Sequence, residues 1–559
     1  MKRSSPLWLA LIVVATSGCS TCKKDQGGSA STSSSTASNA EPSSKAPSDD
    51  DKPTAVHEAS RPITDFKPAT NGFGFQNYGN GPGPVNLTPV EVHRMFGDAV
   101  CSELKEGRCT LVPQGEQWME EVNRAMGGGH CEGMAVLSLL FERGQIDPAM
   151  FGAPLASGLE LKGNDKLQRE IAYWWTTQVS PSVRERRLPM TPVEVVAALR
   201  DAFKKGDDTY TLAFFQRDFK GGHATTPYAV VDHGDDVVWI MHYDNNYPSK
   251  EAHIDVDLKA NTWKYVTASN PDEPEAAYEG DESTKTLMIA PTSARTGKQE
   301  CTFCGDFDTT GASPTTGSVA SRPAREISAD GADIVITDEA GKRLGYVGGK
   351  LVNEIPGGSF APRLSSSADD FDEPVFYVPA GVKLTVAIDG SSIKSDTNGD
   401  VMMVGAGYAV GVEGIALHVG QQDEIELSAD GSEIRYVTKQ NETPLLTVAV
   451  QTTGADYLFE VHVDGDTAGQ SVDLALDVKA GVFAVRVSGG DGKSEFTIDV
   501  HKLDASGEQV FAHKGVALTA AEIVAFDYGS WKGDKAPMHV TMKDDKGTKQ
   551  SEQDVSDED

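Results

Sequence analysis

The segment Gly128-Gly129-His130-Cys131-Glu132-Gly133-Met134-Ala135 sets a cysteine where a glycine-rich turn runs into an apolar stretch. A thiol at the first turn of a helix meets unpaired N–H groups and the positive end of the helix dipole, and both favour the thiolate. Glycines let a substrate carbonyl approach the backbone, whose N–H groups can serve as an oxyanion hole. Thiol chemistry needs an imidazole to take the proton, and a carboxylate or amide to fix that imidazole's tautomer. His223, after Gly221-Gly222, opens an apolar run to Val231, and a second run, Val237 to Tyr243, ends in Asp244-Asn245-Asn246. If Gly234-Asp235 closes a hairpin between them, the histidine and the Asp/Asn group meet at one edge of a sheet.

These residues need helices and strands to hold them. Thr88-Pro89-Val90-Glu91 opens a short helix with Pro at its first position. Gln117 to Met126 reads as a second helix, stopped by Gly127-Gly128-Gly129, and Cys131 to Arg143 as a strongly apolar third. Lys166 to Val179 follows, and Thr191-Pro192-Val193-Glu194 is a capping box that starts a helix to about Lys205. Strands are expected at Tyr210–Gln216, His223–Val231, Val237–Tyr243, Ala252–Val256 and Thr262–Val266. Helices followed by an antiparallel sheet make an α+β domain. Beyond Ile327 short alternating runs such as Leu384–Ile388, Leu446–Val450 and Phe483–Val487 recur between Gly, Asp and Asn turns, the pattern of β-sandwich modules. Ala520–Val524 is the one helix-forming exception.

The three motifs together resemble the papain-like thiol-enzyme superfamily, in its bacterial peptidase and transglutaminase-like branches. The resemblance spans roughly residues 85–270 and rests on Gly129–Met134, Gly222-His223-Ala224 and Tyr243–Asn246. It implies Cys131 as nucleophile, His223 as general base and acid, and Asp244 as the orienting group, with Asn245 and Asn246 as alternatives. No Gln stands at the usual short distance before the nucleophile; Asn123 is the nearest amide, and Gly128, Gly129 and the Cys131 backbone are the other oxyanion candidates. The implied chemistry is acyl transfer through a Cys131 thioester, with peptide or protein substrates and water or an amine as acceptor. No cofactor and no metal is implied. His130 and Glu132 read equally as helix-start polar residues and as participants. His233, His242 and His253 are expected on strand or turn surfaces, and Trp174, Trp175 and Trp239 in the core.

Seven cysteines sharpen the assignment. Cys101 and Cys109 bracket a short polar stretch and are expected to pair, as are Cys301 and Cys304, for which no further metal ligands stand nearby. That leaves Cys131 without a partner in the folded region. At the N-terminus a basic start, an apolar run too short to span a bilayer and small residues before Cys19 make an export signal. Thr16-Ser17-Gly18-Cys19 is similar to a bacterial lipobox, with Cys19 the lipidated residue. The polar, Ser-rich stretch that follows lacks the apolar surface to fold and reads as a tether. A net charge of −33 argues against a nucleic-acid partner.

The expected organisation is multidomain: signal peptide 1–19, disordered tether 20–68, papain-like α+β domain 69–308, linker 309–326, all-β sandwich domains 327–440 and 441–545, and a disordered acidic tail 546–559. The expected protein is an exported, cell-envelope lipoprotein, anchored to the membrane by its N-terminal lipid only, with a cysteine peptidase domain. A catalytically inactive papain-like binding or adhesion lipoprotein and a single-turnover self-processing or cross-linking protein are the alternatives.

Overall fold

The computed structural model describes residues 64–81, 83–267, 276–307, 324–364, 373–465, 468–489, 493–520, 522–533 and 535–558. The expected signal segment with Cys19, the expected tether up to residue 63 and residues 309–323 of the expected linker lie outside the described residues.

Among the described residues seven α-helices precede the main strands: α1 (Pro68–Asn71), α2 (Pro89–Phe96), α3 (Pro113–Ala125), α4 (Cys131–Glu142), α5 (Asp165–Thr176), α6 (Pro181–Arg184) and α7 (Pro192–Lys205). Both Thr-Pro-Val-Glu segments form capping boxes, at Thr88/Glu91 and Thr191/Glu194. Each satisfies orphan N–H groups of a first turn from both directions. Between α2 and α3 lies a hairpin, β1 (Cys101–Lys105) with β2 (Arg108–Leu111), clamped by the Cys101–Cys109 disulfide.

The sheet that follows is antiparallel, built from β3 (Tyr210–Phe215), β4 (Gly222–Gly234), β5 (Val237–Tyr243), β6 (Ala252–Asp257), β7 (Thr262–Thr267), β8 (Ala276–Asp281) and β9 (Leu287–Pro291). Its order is β8-β7-β6-β5-β4-β3-β9, so the chain meanders outward from β4 and then returns β9 to the free side of β3. The β4–β5 register pairs Thr226 with Tyr243 and Val230 with Ile240. That register carries the start of β4 and the end of β5 to the same edge.

Helix α4 is buried from Cys131 through Phe141, as expected of a helix apolar on all sides. One side lies on β4, where Ser138 Oγ and Thr226 Oγ1 are 3.0 Å apart. The other meets α5, and Gly133 is what allows it: a Cβ there would fall 2.1 Å from the Ile171 carbonyl oxygen and 3.0 Å from the Trp175 nitrogen. This contact sets Trp175 beside the first turn of α4. Gly133→Ala must push two helix backbones apart, and we expect it to destabilise the fold by roughly 1–3 kcal/mol, read from the midpoint of urea unfolding.

The remainder is two large antiparallel sheets of nine and eleven strands among the described residues, facing each other across one core. Phe376, Met403 and Phe459 from the first meet Ile334, Tyr436 and Phe483 from the second, with the Phe459 and Phe483 rings stacked at 4.4 Å. The boundary expected near 440 is absent from both sheets: Tyr408–Leu417 pairs with Leu445–Thr452, and Glu433–Val437 with Gln470–Asp477. Strand pairing also overrides local preference at Ala520–Val524, where Glu522–Asp527 forms a strand that buries Val524 and Phe526. Within the expected disordered tail, Lys549–Val555 adds an edge strand against Met538–Asp544 and buries Val555.

The outer face of the nine-stranded sheet is covered by the helical layer. Val375, Tyr377, Met402 and Val404 join Leu111 and Trp118 in a common apolar cluster, and Gln114 Nε2 donates to Gln451 Oε1 at 2.8 Å. Residues 60–559 therefore form one compact unit. Cys301 and Cys304 are disulfide-bonded, and Phe303 between them packs on Phe96 and Trp118. Two disulfides are the mark of an oxidising compartment. Among the described residues no helix is long and apolar enough to cross a membrane.

Candidate active site

Cys131 opens α4, His223 lies at the start of β4 and Asp244 immediately follows β5. The long β4–β5 hairpin spends the 21 positions from His223 to Asp244 running out and back, so the two return to hydrogen-bonding distance. His223 Nε2 donates to Asp244 Oδ1 at 2.8 Å, which leaves Nδ1 as the nitrogen that serves the thiol; the His223 ring engages Cys131. All three side chains are buried, and among the described residues Cys131 is the free cysteine.

Asp244 is held on every side. Oδ1 also accepts from the Asn246 backbone N–H at 2.9 Å, while Oδ2 accepts from Tyr265 Oη at 2.9 Å and Thr267 Oγ1 at 3.1 Å. Burial alone would raise its pKa, but the facing His223, then His242 and the Asn246 N–H, hold it down at about 2. For His223 burial works downward, and the Asp244 carboxylate with its hydrogen bond, followed by Cys131, lifts it to about 10.

The pH dependence of stability follows from those directions. His223 contributes stability in full below its ordinary 6.5 and loses it as pH rises toward about 10. Asp244 contributes in full above its ordinary 3.8 and loses it as pH falls toward about 2. We expect Asp244→Asn to remove both limbs, so that the difference in Tm between wild type and variant is largest between them and shrinks on either side.

Asn245 and Asn246, the alternatives to Asp244, do other work. Asn245 Nδ2 donates to the carbonyls of Cys131 (3.1 Å) and Ala224 (2.9 Å), tying the first residue of α4 to β4. The Asn246 backbone steadies Asp244, and its carbonyl accepts from Gln76 Nε2 at 3.0 Å. The flanking residues are structural. His130 stacks on Tyr78 at 4.2 Å and donates Nδ1–H to the Tyr78 carbonyl. Glu132 accepts from Arg187 Nη2 at 2.7 Å and from Arg295 Nη2, all of them buried.

Two of the expected oxyanion donors are engaged elsewhere. Asn123 spends its amide on Leu87, accepting from its N–H and donating to its carbonyl, both at 3.0 Å. The Gly129 N–H is bonded to the Met126 carbonyl, and Gly128 lines a polar cavity with Arg217 and Lys220. The donor found at the thiol is the indole of Trp175, expected only as core. Its Nε1–H donates at 2.8 Å to the carbonyl of Leu364, the same oxygen that accepts from Cys131 Sγ at 3.4 Å. Gln178 Oε1 accepts from the Leu364 N–H at 2.9 Å. No spacing rule points to Trp175, Gln178 or Leu364, since the contact joins residues 233 positions apart.

Two further expectations change. His242, expected at the surface, is fully buried beside Tyr265, and burial lowers it to about 4. Trp239, expected in the core, is half-buried, sandwiched between the rings of His233 and His253 at 3.8 and 4.1 Å.

No family model, curated protein or solved structure matches this chain.

Proposed function

We propose that the helical layer and the seven-stranded sheet form a papain-like thiol domain that carries out acyl transfer, in an exported lipoprotein tethered through Cys19. The observation that carries this reading is the buried line of Cys131, His223 and Asp244, with the imidazole oriented by a 2.8 Å bond to a carboxylate that has three further donors. A carboxylate satisfied in this way fixes one imidazole tautomer and balances the imidazolium that forms when the thiol gives up its proton. In this mechanism Cys131 attacks a carbonyl, His223 protonates the leaving amine, and a water or amine activated by His223 resolves the thioester. Peptides or proteins are the substrates. The β layers support the domain and shape its approach. The two disulfides fit the exported location.

The test uses a chain in which Leu364→Gly uncovers the thiol, assayed with a small leucine thioester. Turnover that disappears in Cys131→Ala supports the reading. A rate equal with and without Cys131 leaves a binding protein on the same scaffold.

A further inference from the structure

The strands Ala455–Val463 and Lys493–Asp504 lie side by side in the nine-stranded sheet. Phe459, Val461, Ile498 and Val500 enter the core between the two large sheets, so the alternate residues Glu460, His462, Asp499 and His501 stand on the outer face. The register sets Glu460 directly opposite Asp499. Like charges in that position repel and weaken a sheet. Glu116 and Glu120 of α3 add negative charge against Glu460, offset in part by Arg124 and Lys514.

His462, the next residue on the same face, brings an imidazole to this pair. One carboxylate oxygen of Glu460, one of Asp499 and one ring nitrogen of His462 all lie within 4.8 Å of one another. His462 Nε2 stands 3.7 Å from Asp499 Oδ2, beyond hydrogen-bonding distance, so neither atom is spent on the other. Donor atoms around one zinc ion lie about 3.4 Å apart, given bonds of about 2.0–2.2 Å in a tetrahedral array. Closing the trio to that spacing takes a movement of about 1 Å at the side-chain tips, and all three side chains reach solvent. His501 supports them. It is nearly buried, its Nδ1 donates to Glu508 Oε1 at 3.0 Å, and its Nε2 stands 3.3 Å from Glu460 Oε2. The line Glu508–His501–Glu460 holds one carboxylate of the trio from behind, as outer partners do at metal sites.

We propose that Glu460, His462 and Asp499 form a binding site for a divalent transition-metal ion of the zinc type, separate from the thiol site and independent of the acyl-transfer reading. Carboxylates alone suit Mg²⁺ and Ca²⁺; the imidazole shifts the preference to Zn²⁺ and Co²⁺. Three protein ligands on an open sheet face leave the remaining coordination to water or to a donor from a partner. An ion bound there turns the repulsion between Glu460 and Asp499 into a shared attraction and ties the two strands together.

The full chain is stripped of metal with a chelator, and Zn²⁺ is titrated in by calorimetry, with the absorption of bound Co²⁺ as a second probe. We expect one site per chain that a large excess of Mg²⁺ does not displace. Saturating Zn²⁺, about a hundredfold above Kd, should raise Tm by about 2–3 °C. His462→Ala and Asp499→Asn should each weaken binding by at least about 100-fold, more than loss of an outer partner does, and should remove the rise in Tm. His539→Ala, which alters a separate imidazole beside Asp554 and Glu552, should bind as the wild type does. No binding, or an affinity unchanged in His462→Ala, overturns the proposal. Displacement by Mg²⁺ overturns it too, because the imidazole is then not a ligand. Loss of binding in Cys131→Ala or His539→Ala, with the trio intact, places the ion elsewhere and has the same consequence.

Discussion

His223→Ala is expected to slow Cys131-dependent acyl transfer by about 10²–10⁴-fold, the usual worth of a positioned general acid–base group. In the proposed mechanism the imidazole takes the thiol proton and serves the leaving amine, so both halves of the reaction would lose it together. Stability should fall much less than activity. Asp244 would keep Tyr265, Thr267 and the Asn246 N–H as donors, so its buried carboxylate is not abandoned. The measurement is single-turnover acylation by a leucine thioester in the Leu364→Gly background, with and without added imidazole. Partial recovery by imidazole, which fits the space left by the ring, marks a chemical role. A loss that imidazole cannot touch, accompanied by a large drop in Tm, would mean that His223 only holds the fold.

The largest expected stability change belongs to Glu132→Ala. Glu132 stands between Arg187 and Arg295, whose side chains are 6% and 0% exposed. Burial lowers the Arg187 pKa, Glu132 opposes that, and the balance lies at about 10. Removing the carboxylate strands two guanidinium groups away from water. Breaking a buried pair from one side typically costs about 3–5 kcal/mol. Glu132 also follows Cys131, and its bonds pin the first turn of α4 to the turn after α6 and to the segment after β9. The comparison is Arg200→Ala, which breaks a pair with the exposed Asp232 and should cost no more than about 1 kcal/mol. Urea unfolding midpoints of the two variants decide it; equal midpoints would show that Glu132 is not bearing on the fold.

Much of the local structure was legible in the residues themselves. Thr-Pro-Val-Glu announces a helix start twice because the cap needs only neighbours three positions apart. The β4–β5 hairpin follows from two apolar runs around Gly234-Asp235, and Cys131, His223 and Asp244 converge because strand register is set by which face is buried. Cysteine pairing was open to elimination, since the short Cys101–Cys109 and Cys301–Cys304 spacings left Cys131 over. Where the reading failed, long-range pairing won over local preference. Ala520–Val524 would suit a helix alone, yet lies beside a waiting strand edge, and Lys549–Val555 folds because backbone hydrogen bonds to Met538–Asp544 do not require apolar side chains.

By itself, then, the sequence determined the helix starts, the hairpin, the disulfides and the convergence of Cys131, His223 and Asp244, all features written in short spacings or in the alternation of buried positions. Tertiary structure decided what surrounds the thiol. Trp175 shares the Leu364 carbonyl with Cys131 because Gly133 lets two helices touch, and Leu364 reaches the thiol because the helical layer lies on the outer face of the nine-stranded sheet. Neither contact has a local signature: each depends on surfaces that meet only after burial of apolar area has brought distant elements together.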